Sequence, residues 1–258
     1  MQHKIFTVTL LIFIFFPLFS SAEKKTGFVS DQLKQLEQEV RAEQSIEFIA
    51  KCLSDTDFAN WTEEVSHRTK LYVAIMWIDQ KNYQAAAGLL DTLDPLGEYS
   101  DLWMYFRATL LVYMGYGKES LPVITRLEGR FPSDVDVLYL KSLYLAETGD
   151  LTETLKLLGA ILKKNKKDGK IYLQRGAVHM LAFDYDPAIN DFKMALKYLS
   201  KDDIYARQQT SLQIGLICWK IKMQQAEGRR YLEQGMALDP DSEMVRQVRQ
   251  SLEAWGGI

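Results

Sequence analysis

The chain has 258 residues, 47% of them hydrophobic, and 31 Lys and Arg against 34 Asp and Glu leave a net charge of −3. That apolar content supports a buried core and excludes a chain disordered throughout. The near-balanced charge, without a long basic stretch, excludes the electrostatic footprint of a nucleic-acid binder.

At the N-terminus, Lys4 precedes the apolar run IFTVTLLIFIFFPLF (5–19), and the small residues Ser20, Ser21 and Ala22 precede Glu23. This is the layout of a secretory signal peptide, with cleavage expected after Ala22. A short n-region with a single Lys fits a bacterial export signal better than a eukaryotic one, so the mature protein is expected in a bacterial periplasm. The rival reading is an uncleaved anchor, but the run is broken by Pro17 and is shorter than the ~20 residues a spanning helix needs. NWT at 60–62 would be a glycosylation acceptor only in a eukaryotic secretory pathway.

Next, SDQLKQLEQEVRAEQSIEFIAKCLS (30–54) has a long helical pattern that reads as one or two helices. DTDFANWTEEVSHRTKL (55–71) leads into the first regular segment, and residues 23–66 have room for a degenerate helical pair. Beyond this point strand signals are almost absent, and amphipathic runs recur between short polar or Gly-containing breaks. An all-α chain is predicted.

The runs repeat. Ala74, Ala108, Ser142 and Gly176 are spaced by 34 residues, as are Ala86, Ser120, Thr154 and Ala188, and the bulky series Leu90, Ile124, Leu158 and Phe192. A turn lies between the two small-residue series in every unit: QKNY (80–83), MGYG (114–117), ETGD (147–150) and AFDY (182–185). Each unit is therefore a helix, a tight turn and a second helix. Small side chains mark where the paired helices cross, because a bulky residue there would hold the axes apart and forfeit dispersion contacts.

A 34-residue helix-turn-helix of this kind resembles the tetratricopeptide repeat family. The unit at 169–202 carries Tyr172, Gly176, Tyr185, Ala188, Phe192 and Ala195 at positions matching that pattern. Units are read at 67–100, 101–134, 135–168 and 169–202, and a fifth at 209–242 ends in ALDP (237–240). The sequence departs from the pattern at Ser142 and Thr154, and about six residues, DDIYAR, stand as an insertion before the fifth unit. DSEMVRQVRQSLEAW (241–255) reads as a final helix with Asp241 or Ser242 as N-cap and Met244, Val248 and Leu252 on one face, a capping helix over 243–258. The resemblance implies a right-handed superhelical solenoid.

Candidate chemistry is sparse. His3 belongs to the export signal, His67 opens the first unit, and His179 has no second His or Cys at ligand spacing. GYGK (115–118) lacks the flanking Gly spacing and the Ser or Thr after Lys of a phosphate loop, and KKNKKDGK (163–170) reads as a solvated junction. Asp184, Asp186 and Asp191 suggest a calcium site, but Pro187, Ala188 and Ile189 stand where further oxygen ligands are needed. Asp186 as N-cap and Pro187 as first helical residue fit better, so capping is expected. Cys52 and Cys218 stand among apolar residues, which favours two buried thiols, although an oxidising compartment would permit a bridge.

No catalytic set, metal site or cofactor motif emerges, so an enzyme is not expected. In the family it resembles, the first helix of each unit lines a concave groove for a peptide or a partner's helix. Carried over by position, the groove would be lined by Leu71, Ile75 and Ile78, then Leu102, Tyr105, Thr109 and Tyr113, then Tyr139 and Leu143, and finally Leu173 and Met180. Packing of the same residues between units, or against the long N-terminal helix lying in the groove, is the alternative. The function expected is that of an exported adaptor binding a protein or peptide, with a self-assembling envelope protein as second reading. A membrane would be met only through an uncleaved signal.

Overall fold

The structure is a computed structural model describing residues 27–58, 61, 65–94 and 97–255. The expected export signal, and Asn60 and Thr62 of the NWT triplet, lie outside the described residues. Among the described residues the regular structure is entirely helical. None of these helices is long and apolar enough to cross a membrane. The chain divides into two compact units, the boundary falling between Thr154 and Leu155.

In the N-terminal unit, the segment at 30–54 forms two helices, α1 (Phe28–Glu43) and α2 (Ile46–Ser54). The break falls at Gln44, because the Ser45 side chain accepts from Phe48 N and starts a fresh helix. Ser66 caps the next helix in the same way, accepting from Thr69 N. Helical hairpins come next: α3 (His67–Asp79) with α4 (Tyr83–Asp91), and α5 (Ser100–Tyr113) with α6 (Gly117–Arg130). α7 (Val135–Thr148) then packs on α5 and α6, and α8 (Leu151–Lys164) begins.

The C-terminal unit contains the rest of α8, the hairpin α9 (Gly169–Leu181) and α10 (Tyr185–Tyr198), and the first helix of a further pair, α11 (Ile204–Leu216). α11 runs on as a π turn (Ile217–Ile221), and α12 (Gln225–Leu238) folds back on it. The last helix is α13 (Glu243–Ala254), with Ser242 as its N-cap and Met244, Val245, Val248 and Leu252 buried.

The side-chain register explains the hairpins. All twelve residues of the three 34-residue series are buried. A Cβ on Gly176 would stand 2.7 Å from the Phe192 ring, so α9 and α10 approach as closely as they do only because that position has no side chain. Where Ser or Thr replaces the preferred residue, its hydroxyl bonds its own helix: Ser142 to Tyr139 O at 2.7 Å and Thr154 to Asp150 O at 2.7 Å. Small size is kept and no buried donor is left unpaired.

The turns obey a fourth 34-residue series. Lys81, Gly115, Gly149 and Phe183 all have left-handed backbone, with φ of 64°, 81°, 91° and 62°. After each, an amide reaches back five residues to the preceding helix, as Asn82 N does to Trp77 O and Asp184 N to His179 O, both at 2.8 Å. This closes the helix end and reverses the chain. In the last hairpin the left-handed residue is Met223 (φ 56°), 40 residues after Phe183.

That irregularity has a location different from the one expected. Ile204 comes 35 residues after Gly169, the start of the equivalent helix, whereas Gln225 comes 40 after Tyr185. DDIYAR is therefore no insertion ahead of the unit: Asp203 caps α11, accepting from Ala206 N, and the helix starts at Ile204. The extra residues are taken up where the first helix continues into the π turn Ile217–Ile221, a rare form that occurs mostly as single turns within helices.

Phe183 and Met223 are bulky, exposed and left-handed, an arrangement that costs about 1–2 kcal/mol per residue. Phe183→Gly and Met223→Gly should each raise stability by about 0.5–1 kcal/mol, the strain relief less the added freedom of glycine in the unfolded chain. Urea denaturation of the single variants measures this directly.

Candidate functional site

The one extended recognition surface expected from the sequence, the face lined by first helices, has an occupant in the N-terminal unit. Helix α1 packs against α3 and α5 and reaches the start of α7. Its apolar stripe explains why: Val29, Leu36 and Val40 are buried, while the opposite face is polar.

The two ends of α1 are held by different chemistry. At its N-terminus Gly27 contributes no capping side chain, and the first amides go to carboxylates of another element. Phe28 N donates to Asp134 Oδ2 at 3.2 Å and Val29 N to Asp136 Oδ2 at 3.1 Å. Asp134 also caps α7, accepting from Asp136 N and Val137 N, so two helix N-termini converge on one pair of anions. A Cβ on Gly27 would stand 2.1 Å from Asp136 Oδ2, so any larger residue there would push the carboxylate out of its present place. The Phe28 ring stacks on Phe131 with centroids 4.2 Å apart and meets Tyr105 edge-on at 6.0 Å.

Toward its C-terminus α1 is held by charge. Arg68 of α3 pairs with Glu39 at 3.1 Å and Glu43 at 2.8 Å, and Tyr99 donates to Glu39 at 2.7 Å. Hydrogen bonds from Gln35 and Tyr99, with the Arg68 cation beside them, hold the Glu39 carboxyl below its ordinary value. Burial, together with the hydrogen bond to Glu39, pushes the Tyr99 phenol up. Tyr72 is raised as well, by burial and then by Glu37 of α1.

All eleven expected groove residues are buried. Leu71, Ile75 and Ile78 lie on α3; Leu102, Tyr105, Thr109 and Tyr113 on α5; Tyr139 and Leu143 on α7. Burial raises Tyr105 and Tyr113 well above the ordinary phenol value. Tyr113 also packs on Tyr83 with centroids 5.4 Å apart. In the C-terminal unit Leu173 and Met180 belong to an apolar cluster with Phe192, Leu212 and Ile214. Thus none of the eleven stands open to solvent in this conformation. Pattern matching overlooked the residues that hold α1, namely Phe28, Arg68, Tyr99, Asp134 and Asp136. The available signal was the i, i+7, i+11 apolar spacing of Val29, Leu36 and Val40 within an otherwise acidic helix.

The acidic trio resolves differently from the capping expected. α10 starts at Tyr185, one residue before the expected cap, with Asp184 at the N-cap position and no side-chain cap bond. Asp186 lies in the first turn and pairs with Lys222 at 2.7 Å. Asp191 is buried and accepts from Arg175 Nε and Nη2, each at 2.7 Å, tying α10 to α9, with His179 Nε2 at 3.8 Å. Among the described residues no group of three or more acidic, His or Cys side chains is placed to hold a metal. Cys52 and Cys218 are free buried thiols, each raised chiefly by burial, which suppresses thiolate chemistry.

No protein-family model matches this chain. No curated protein matches it either. Solved structures do. A tetratricopeptide repeat protein from Parabacteroides merdae is 10% identical, with 85% of this chain and 90% of that one covered at a TM-score of 0.62. A thermophilic tetratricopeptide repeat protein from Thermus thermophilus is 17% identical over 73% of this chain and 100% of that one, TM-score 0.59. A MamA fragment from Desulfovibrio magneticus is 13% identical over 69% and 97%, TM-score 0.49. The chain thus has a tetratricopeptide-like fold of paired helices, a likeness that rests on the first two structures.

This geometry has two measurable outcomes. Asp191→Ala removes a buried bidentate ion pair and should destabilise the chain by about 2–3 kcal/mol in chemical denaturation. A carboxylate whose folded-state pKa is lowered adds stability only while ionised, so the grip on α1 should weaken as pH falls through the carboxylate range. Taking pH from about 7 to about 4 should speed hydrogen exchange in α1 relative to α5, after correction for intrinsic rates.

Proposed function

We propose that this chain is an exported, non-catalytic adaptor of a bacterial cell envelope that binds a protein or peptide partner along an apolar, Tyr-containing groove. The observation that carries the reading is the seat of α1. Three successive first helices, α3, α5 and the start of α7, hold an amphipathic helix by apolar, aromatic and charged contacts. A face built to take one amphipathic helix has the shape and chemistry to take another. Tyr105 and Tyr139 would supply stiff contact area with a polar tip. Export rests on the charge, apolar run and small residues at 1–22.

Two measurements test this. Residues 1–22 fused to a reporter active only outside the cytoplasm should give activity, and mass spectrometry of the native chain should find Glu23 at its N-terminus. An inactive reporter ends the export reading. An envelope partner recovered with the chain should bind about fivefold more weakly, roughly 1 kcal/mol, to Tyr105→Leu and Tyr139→Leu variants that retain their helical content. Unchanged affinity would remove the groove.

A further inference from the structure

We infer that the groove of the N-terminal unit recognises an acidic amphipathic helix of α1's own pattern, and that α1 is the resident competitor such a partner displaces. The inference rests on the adaptor reading above and names the partner's chemistry. From the ring of Phe28, the pattern places aliphatic residues at +1, +8 and +12 (Val29, Leu36, Val40) and carboxylates at +11 and +15 (Glu39, Glu43). The ring, the carboxylates and the first amides each have a receptor: Phe131 and Tyr105 for the ring, Arg68 for the two carboxylates, and Asp134 and Asp136 for the amides. The amide receptors read only a helix N-terminus, which any helix brings with it. Charge selects its sign at the other end.

Four features make α1 removable. Only three of its sixteen residues are buried hydrophobics, a small apolar area for a helix packed on two others. Arg68, Glu39 and Glu43 are all partly exposed, and ion pairs of that kind contribute little individually. Gln32 holds a buried side-chain oxygen without a hydrogen-bond partner, so the resident helix leaves an acceptor unsatisfied. Finally, α2 is anchored independently of α1. Its start is capped by Ser45, and Leu53 O at its end accepts from Trp77 Nε1 at 3.0 Å. α1 can swing about residues 44–45 while α2 stays wound and seated.

The test uses the full chain, its Leu36→Asp/Val40→Asp variant, and a fluorescent peptide of residues 27–44 as the probe. The variant ejects its own helix, so the peptide should bind it at least tenfold more tightly than wild type, and Glu39→Lys/Glu43→Lys in the peptide should cost about tenfold. In wild type, α1 amides should exchange through a local opening, ahead of those in α5. A folded variant that binds the peptide no better overturns the inference. So does α1 exchange that occurs only with global unfolding, and that measurement decides alone if the variant does not fold. Dimeric wild type in sedimentation, with α1 exchanged between copies, would assign the groove to a second copy and overturn the partner claim. Peptide binding without any envelope partner would uphold the groove's choice of helix but end the adaptor reading and the displacement that rests on it, whereas a partner bound by a chain whose groove does not take the peptide would end this inference alone.

Discussion

Two helices of a hairpin can approach as closely as they do here only where one carries a small side chain opposite the bulk of the other, and the fold depends on meeting that condition in every hairpin. Gly176 shows its severity, since a single Cβ would intrude on the Phe192 ring. The crossing position and the left-handed turn residue are parts of one device. Moving the turn by one residue would rotate the next helix by about 100°, carrying its small residue off the seam and its bulky one into solvent. That is why Lys81 and Phe183 accept a backbone conformation that glycine would adopt without strain. Retaining register outweighs the local cost.

Stacked hairpins leave the outward faces of their first helices without partners. In the N-terminal unit those faces are largely apolar, and exposing them to water would cost about 25 cal/mol for each Å² uncovered. Helix α1 meets this cost from within the chain. Its seat combines a small apolar stripe with carboxylate and guanidinium contacts at the two ends, which fix direction and register more than they add stability. The arrangement joins fold to function, because what protects the face also decides what can reach it.

Several features were legible in the residues because they depend on local rules. The helix pairs arise from apolar periodicity, the start of the last helix from Ser242 as a cap, and the 34-residue period from side-chain size at the crossings, whereas the caps at Ser45 and Ser66 emerged only in the structure. Asp184, Asp186 and Asp191 were only half legible. Their spacing excluded a calcium loop, yet the partners that define them, Lys222 and Arg175, come from outside their own helix. The insertion in the last hairpin was visible as a count and misplaced as a position. Helical periodicity tolerates a π turn, and nothing in one dimension separates residues added before a helix from residues added inside it.

The amino-acid sequence by itself determined the helical class, the repeat and the candidate groove residues, since each rests on properties of residues a few positions apart. Tertiary structure alone decided that those residues are covered, that α1 packs on α3 and α5 and meets Tyr105 in the N-terminal unit, and that Asp134 and Asp136 receive its first amides across more than a hundred residues of chain. The physical reason is that an apolar stripe specifies only that it must be buried. Which stripe buries it depends on where the stacked hairpins place their unpartnered faces, and on which segment of the chain is long enough and suitably charged to reach them.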